Sequence, residues 1–226
     1  MEAKENKDCY TSDNQRQLLS SMFSNKDVKD NFFLTGGTAL SVFYLYHRLS
    51  DDLDFFTIQY SDLSEIDHWI QRKFENVVKI NENEFLLSYL INNVKAEFVI
   101  DHLSINDKKQ VFISSEQVEM KIDSIRNISS NKLCTLVSRS EVKDFIDFYF
   151  LNQNSKQDAI DHIYADSIEK DRIFEDTPTV AFKIEEGFEF VRNSYDILPR
   201  LLRNLDKNDF ENFYTDLIKR IYNKLA

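Results

Sequence analysis

Apolar positions follow two different periods along this chain. Before about residue 128, short apolar runs separated by Asn, Asp and Gly predict strands interleaved with a few helices. Residues 1–11 are polar and predict a frayed start. Ser12 or Asp13 caps a short helix running to about Phe23. Asn31-Phe32-Phe33-Leu34-Thr35 predicts a buried strand, which Gly36-Gly37 breaks. Residues 38–46, apolar at 39, 40, 42, 43 and 45, then predict a buried helix. Residues 53–58 predict a second strand, and Ser61 or Asp62 starts an amphipathic helix through Phe74. Strands follow at 77–80, 85–91 and 94–100, with Asn92-Asn93 as a tight turn that makes the last two a hairpin. Residues 111–114 and 118–122 predict further short strands.

After that point the apolar spacing is helical. Helices are predicted at 132–137, 142–151 and 156–168. Thr177-Pro178 opens another, with Thr as cap and Pro at the first helical position. Asp206 or Asp209 opens a last helix through Leu225. Phe182, Phe188 and Phe190 are read as core, with a contact surface as the alternative. The predicted class is α+β: a mixed sheet flanked by helices over residues 1–128, then a helical domain over 129–226.

Composition narrows the function classes. Hydrophobic residues make up 42% and charged residues 30% of the 226, the profile of a globular protein rather than a disordered one. No apolar run approaches the roughly 18–20 residues of a membrane span, and the polar start lacks a signal-peptide core. Cys9 and Cys134 are far apart and are read as reduced thiols of a cytoplasmic protein. The net charge of −11 argues against a broad, nonspecific grip on nucleic acid, though not against a local basic patch or a basic protein partner.

Three segments carry candidate chemistry. Leu34-Thr35-Gly36-Gly37-Thr38 turns a strand into a helix, where backbone N–H groups meet an anion and glycine permits close approach; the same turn also serves plain structure. In Asp52-Leu53-Asp54-Phe55 the two aspartates share a strand face, with Leu53 and Phe55 opposite. They read either as a site bridged by a divalent cation or as a solvated strand start. In residues 94–101, Lys95, Glu97, Val99 and Asp101 share a face. Glu97 or Asp101 can complete a three-carboxylate metal site, or the face can be the exposed side of an edge strand. His47, His68, His102 and His162 show no zinc-ligand spacing, and no Gly-x-Ser-x-Gly motif exists.

In order and spacing these segments resemble the nucleotidyltransferases of the DNA polymerase beta superfamily, and more closely the AbiEii/AbiGii toxin family. Gly36-Gly37-Thr38-Ala39-Leu40, His47-Arg48-Leu49-Ser50 and Asp52-Leu53-Asp54-Phe55 match that family's motifs. Downstream Lys132, Arg139, Lys143, Asp144 and Asp147 match its helical motif, so the resemblance covers about residues 34–151. It implies a nucleotidyltransferase fold and an NTP substrate held by Gly36, Gly37 and Thr38. It implies Mg²⁺ on Asp52 and Asp54, with Glu97 as third carboxylate, either ligand or base. It implies Lys132 and Arg139 on phosphates or substrate, and Asp144 orienting Lys132 or acting in catalysis. Arg48 touches phosphate or pairs with an acidic neighbour. Glu97 departs from the Asp of many relatives, and the chain is shorter than many of these toxins. The activity implied is transfer of a nucleoside monophosphate to an acceptor hydroxyl, tRNA or other RNA, by the toxin of a toxin–antitoxin or phage-defence pair. The alternatives are a small-molecule or protein acceptor, or a degenerate nucleotide-binding protein.

Overall fold

Ser12 opens the first helix by accepting the Gln15 N–H on its hydroxyl, so the chain-start cap is the serine and α1 runs Asp13–Ser24. In this computed structural model residues 2–59, 62–153 and 157–223 are described. The chain divides into two compact units, Met1–Ile125 and Arg126–Ala226.

In the first unit a short helix the sequence pattern does not predict, α2 (Lys26–Asn31), follows α1. β1 (Phe33–Thr35) ends at the glycines, and α3 (Gly36–Leu40) starts on them rather than after them. It continues as a π turn, Ser41–Leu45, which Tyr46 stops at φ 55. Next come β2 (Leu53–Thr57) and α4 (Leu63–Lys73), whose cap is Asp62; Ser61 lies outside the described residues. β3 (Val77–Asn83), β4 (Leu86–Ile91), β5 (Val94–Ile100), β6 (Gln110–Ile113) and β7 (Glu119–Ile122) complete the unit. Asn92 and Asn93 both take left-handed φ, 49 and 64, which closes the β4–β5 hairpin in the tight turn expected of that pair.

The seven strands form one mixed sheet in the order β3-β4-β5-β2-β1-β7-β6. β2 runs parallel to β5 and β1 parallel to β7; the other neighbours are antiparallel. β5 is therefore interior, and the edge-strand alternative for its polar face fails. Alternation sets the register, because a one-residue slip would turn the apolar set to the wrong face. Leu53, Phe55 and Thr57 of β2 are buried, as are Val94, Ala96, Phe98 and Ile100 of β5. Phe55 stacks on its cross-strand partner Phe98 at 4.8 Å between ring centroids. Phe23 and Phe32 meet this pair edge-on. Each such aromatic pair adds about 0.5–1.5 kcal/mol beyond area burial, which makes this part of the sheet a firm platform.

The second unit is helical: α5 (Ile125–Ser138), α6 (Val142–Asn152), α7 (Gln157–Ile168), α8 (Thr177–Arg192) and α9 (Lys207–Tyr222). Lys156 and Leu225, assigned to helices by pattern, lie outside the described residues. α5 starts earlier than its apolar spacing indicates, because its first turns bury Asn127, Ser129 and Ser130. α6 is buried on nearly all sides, which suits a central helix. Two sequence expectations are corrected here. The cap of α8 is Asp176, whose carboxylate accepts from the Thr179 N–H and hydroxyl, so Thr177 is already helical. Phe188 is core, on the face of Ile184 and Val191. Phe182 and Phe190 fall outside that face and are 63% and 49% exposed. No helix among the described residues is long and apolar enough to cross a membrane.

Candidate active site and family

The glycine turn and the second aspartate are in contact. Thr35, the last residue of β1, pairs with Asp54 of β2. The chain must then turn sharply over Asp54, and Gly36 does so at φ +68, a left-handed conformation that L side chains rarely adopt. A Cβ at Gly36 would collide with the Asp54 carboxylate oxygen Oδ2, so the position needs glycine for space as well. A Cβ at Gly37 would stand 2.5 Å from Arg48 Nη2 and 2.8 Å from Ser50 Oγ. Arg48 is buried beneath the turn, donating to the Leu49 carbonyl at 2.8 Å. Thr35, at the N-cap of α3, gives the turn no side-chain hydrogen bond. Its hydroxyl donates instead to the buried Asp123 at 2.6 Å, and Asp123 in turn takes a hydrogen bond from Lys109 at 2.8 Å.

Asp54 pairs with Glu97 across the parallel β2–β5 ladder, so both carboxylates stand on the half-exposed face above the Phe55–Phe98 platform. Asp52 lies one residue before β2, in line with the expected strand start at Leu53. Its backbone is fixed from two directions. The Thr38 hydroxyl donates to the Asp52 carbonyl, and the buried Gln15 amide donates to the carbonyls of Ser50 and Asp51 at 2.7 and 3.0 Å. Thr38 is thus committed to holding Asp52. Asp101, the other choice for third carboxylate, lies beyond the end of β5. It folds its own turn, accepting from the Leu103 N–H at 3.0 Å and the Ser104 hydroxyl at 2.6 Å.

Glu97 is held on both sides. The Ser88 hydroxyl donates to Oε1 at 2.9 Å, and Lys95 Nζ lies 2.9 Å from the same oxygen. Burial opposes the charge on Lys95. The hydrogen bond and charge of Glu97, with the charges of Asp52 and Asp54, outweigh it and raise the Lys95 pKa above the usual lysine value. Hard carboxylate oxygens are the donor set that Mg²⁺ takes, and an ammonium is already drawn to them, so the donor chemistry fits a divalent cation. Among the described residues, no group of three or more His, Cys, Asp or Glu side chains is gathered closely enough to form a metal cage. Sequence reasoning missed the supports Gln15, Ser88 and Asp123; Lys95 was visible as the residue two before Glu97 on its own face.

Residues 17–222 match the family described as nucleotidyl transferase AbiEii toxin, type IV TA system. The chain belongs to this family. Among curated relatives of this AbiEii-family chain, protein aq_aa25 of Aquifex aeolicus (strain VF5) is 27% identical over 146 residues. The match takes in 61% of this chain and 65% of that protein, so it spans less than two thirds of the relative's length. Among solved structures, a candidate nucleotidyltransferase from H. pylori is similar at 19% identity and TM-score 0.55, covering 95% of this chain and 97% of that one. The nucleotidyltransferase toxin MenT4 from Mycobacterium tuberculosis H37Rv is similar at 14% identity and TM-score 0.52, covering 93% and 88%. At these identities the likeness is one of fold.

The second unit of the AbiEii-family chain collects the downstream motif. Lys132 of α5 lies 2.7 Å from Asp144 and 2.6 Å from Asp147 of α6. Arg139, just past α5, reaches Asp144 at 2.8 Å. Both aspartates are fully buried and Lys132 nearly so, while Arg139 is 47% exposed. Burial works to raise the Asp144 pKa. The charge of Lys132, with the hydrogen bond and charge of Arg139, prevails and holds it below the usual aspartate value. The spacing of Lys132 and Arg139 thus serves to bring both onto one carboxylate.

Proposed function

We propose that this protein is a Mg²⁺-dependent nucleotidyltransferase. It moves a nucleoside monophosphate from an NTP to an acceptor hydroxyl of RNA, tRNA foremost, and acts in the cytoplasm as the toxin of a toxin–antitoxin or phage-defence pair. The observation that carries this reading is the packing of Gly36 on Asp54, with Glu97 beside Asp54 across the ladder. A turn able to take phosphates and a pair of carboxylates able to take a cation are thereby built as one object. Family membership and the MenT4-like fold support the same reaction class.

In this reading Asp52, Asp54 and Glu97 hold the cation, which when bound neutralises charge on the entering and leaving oxygens. The backbone of Gly36, Gly37 and Thr38 takes the triphosphate, and the buried Arg48 supplies positive charge beneath it. The acceptor hydroxyl forms its bond to the α-phosphorus, the bond to pyrophosphate breaks, and Glu97 takes the hydroxyl proton. In the second unit Arg139, half-exposed, would take an anionic group of a substrate, and Asp144, which Lys132 also holds, orients Arg139. With a net charge of −11, contact with RNA must be local.

The test is label transfer from each radioactive NTP to purified tRNA with Mg²⁺, repeated with Asp52→Ala and Asp54→Ala. Label on tRNA with the wild type alone is expected. Label on a small molecule or a protein instead would move the acceptor, and absence of both label transfer and Mg²⁺–nucleotide binding would overturn the reading.

A further inference from the structure

Glu97 of the candidate site already has a cation of its own. Lys95 leaves β5 on the same side as Glu97, two residues away, and its ammonium lies 2.9 Å from Glu97 Oε1. Register places Glu97 beside Asp54. Carboxylates on neighbouring strands repel, and a positive charge beside them offsets that repulsion. Lys95 supplies that charge without any metal. Its side chain is 38% exposed, so it has open solvent to swing into, and its flexible four-carbon stem permits the move. The same oxygen of Glu97 is the one the Ser88 hydroxyl holds. When Lys95 leaves, Glu97 therefore stays oriented.

We propose that Lys95 is a built-in counter-cation that occupies Glu97 in the metal-free protein and must be displaced by the divalent ion. The inference rests on the metal-binding reading given above and adds to it what sets the affinity. Lys95 offsets carboxylate repulsion in the metal-free protein and sets a threshold below which the divalent ion does not enter. The occupant of the site is thus decided by competition between two cations for one set of oxygens.

The experiment measures Mn²⁺ affinity by isothermal titration, and the thermal midpoint with and without Mn²⁺, for the wild type, Lys95→Met and Lys95→Arg. Lys95→Met keeps the stem and removes the charge. It is expected to bind Mn²⁺ about tenfold more tightly, to unfold at lower temperature without metal, and to gain more from added Mn²⁺ than the wild type. Lys95→Arg keeps a cation and is expected to stay near the wild type in both measurements. If the wild type binds Mn²⁺ and Lys95→Met binds it equally or more weakly, the competition is overturned while the metal site stands. If no variant binds Mn²⁺, the metal reading is overturned and this inference with it.

Discussion

Lys95 in the first unit and Lys132 in the second each face acidic side chains, but Lys95 keeps 38% of its side chain exposed and Lys132 only 7%. The carboxylates follow suit. Glu97 is 24% exposed, whereas Asp144 and Asp147 are fully covered. The ingredients are alike and the consequences opposite. An ammonium beside water is screened and replaceable, and its ion pair contributes little to stability. A buried one cannot leave without stranding charge in a low-dielectric interior. The first cluster is therefore suited to exchange one cation for another. The second is suited to pin α5 to α6.

Four substitutions break or sharpen this contrast. Asp54→Asn should lower nucleotidyl transfer by about 10³-fold while leaving the thermal midpoint of the metal-free protein unchanged or higher. A large loss of stability would make the first cluster structural like the second. Lys132→Met should cost about 3–5 kcal/mol in urea unfolding, since two buried aspartates lose their common partner. Its pH dependence has a definite sign. The folded pKa of Asp144 is depressed, so its stabilising contribution is present above the ordinary aspartate value of about 3.9. That contribution is lost as pH falls through the lower folded value. Wild-type and Lys132→Met stabilities should thus differ most near neutrality and converge in acid; a constant gap would contradict the buried pair.

Gly36→Ala should cost about 1–2 kcal/mol for left-handed backbone alone, plus displacement of Asp54. Unfolding and transfer measured together would show both losses. Ser88→Ala removes one of the hydrogen bonds on Glu97, worth about 1 kcal/mol. It should weaken Mn²⁺ binding severalfold with little change in unfolding. An unchanged affinity would mean that Ser88 does not hold Glu97 for the metal.

Much of the first unit was legible because its strands alternate cleanly. Residues 94–100 of β5 and the Asn92-Asn93 turn match the pattern residue for residue. The pairing of Asp54 with Glu97 was not legible, because nothing local tells β2 to run parallel to β5 across the intervening hairpin. α2 was missed because Lys26–Asn31 buries only Val28 and shows no apolar period. The start of α5 was missed because it buries polar side chains. Asp176 lost the cap to Thr177 in a reading led by the proline. Within the site, motif residues could be found by type, while Gln15 and Asp123 act through long-range hydrogen bonds that leave no pattern in the chain.

The contact between Gly36 and Asp54 also constrains how this protein can change over generations. Position 36 is under two locks, a left-handed φ and the Asp54 carboxylate against it. Asn and Asp tolerate the first, and only glycine satisfies the second. While Asp54 stays where it is, any side chain at position 36 must push its carboxylate aside. A lineage that first trades Asp54 for a smaller residue can explore that position, and an Asn then fixed at 36 would block the return of the aspartate. Loss of the site by that route runs in one direction, like a ratchet.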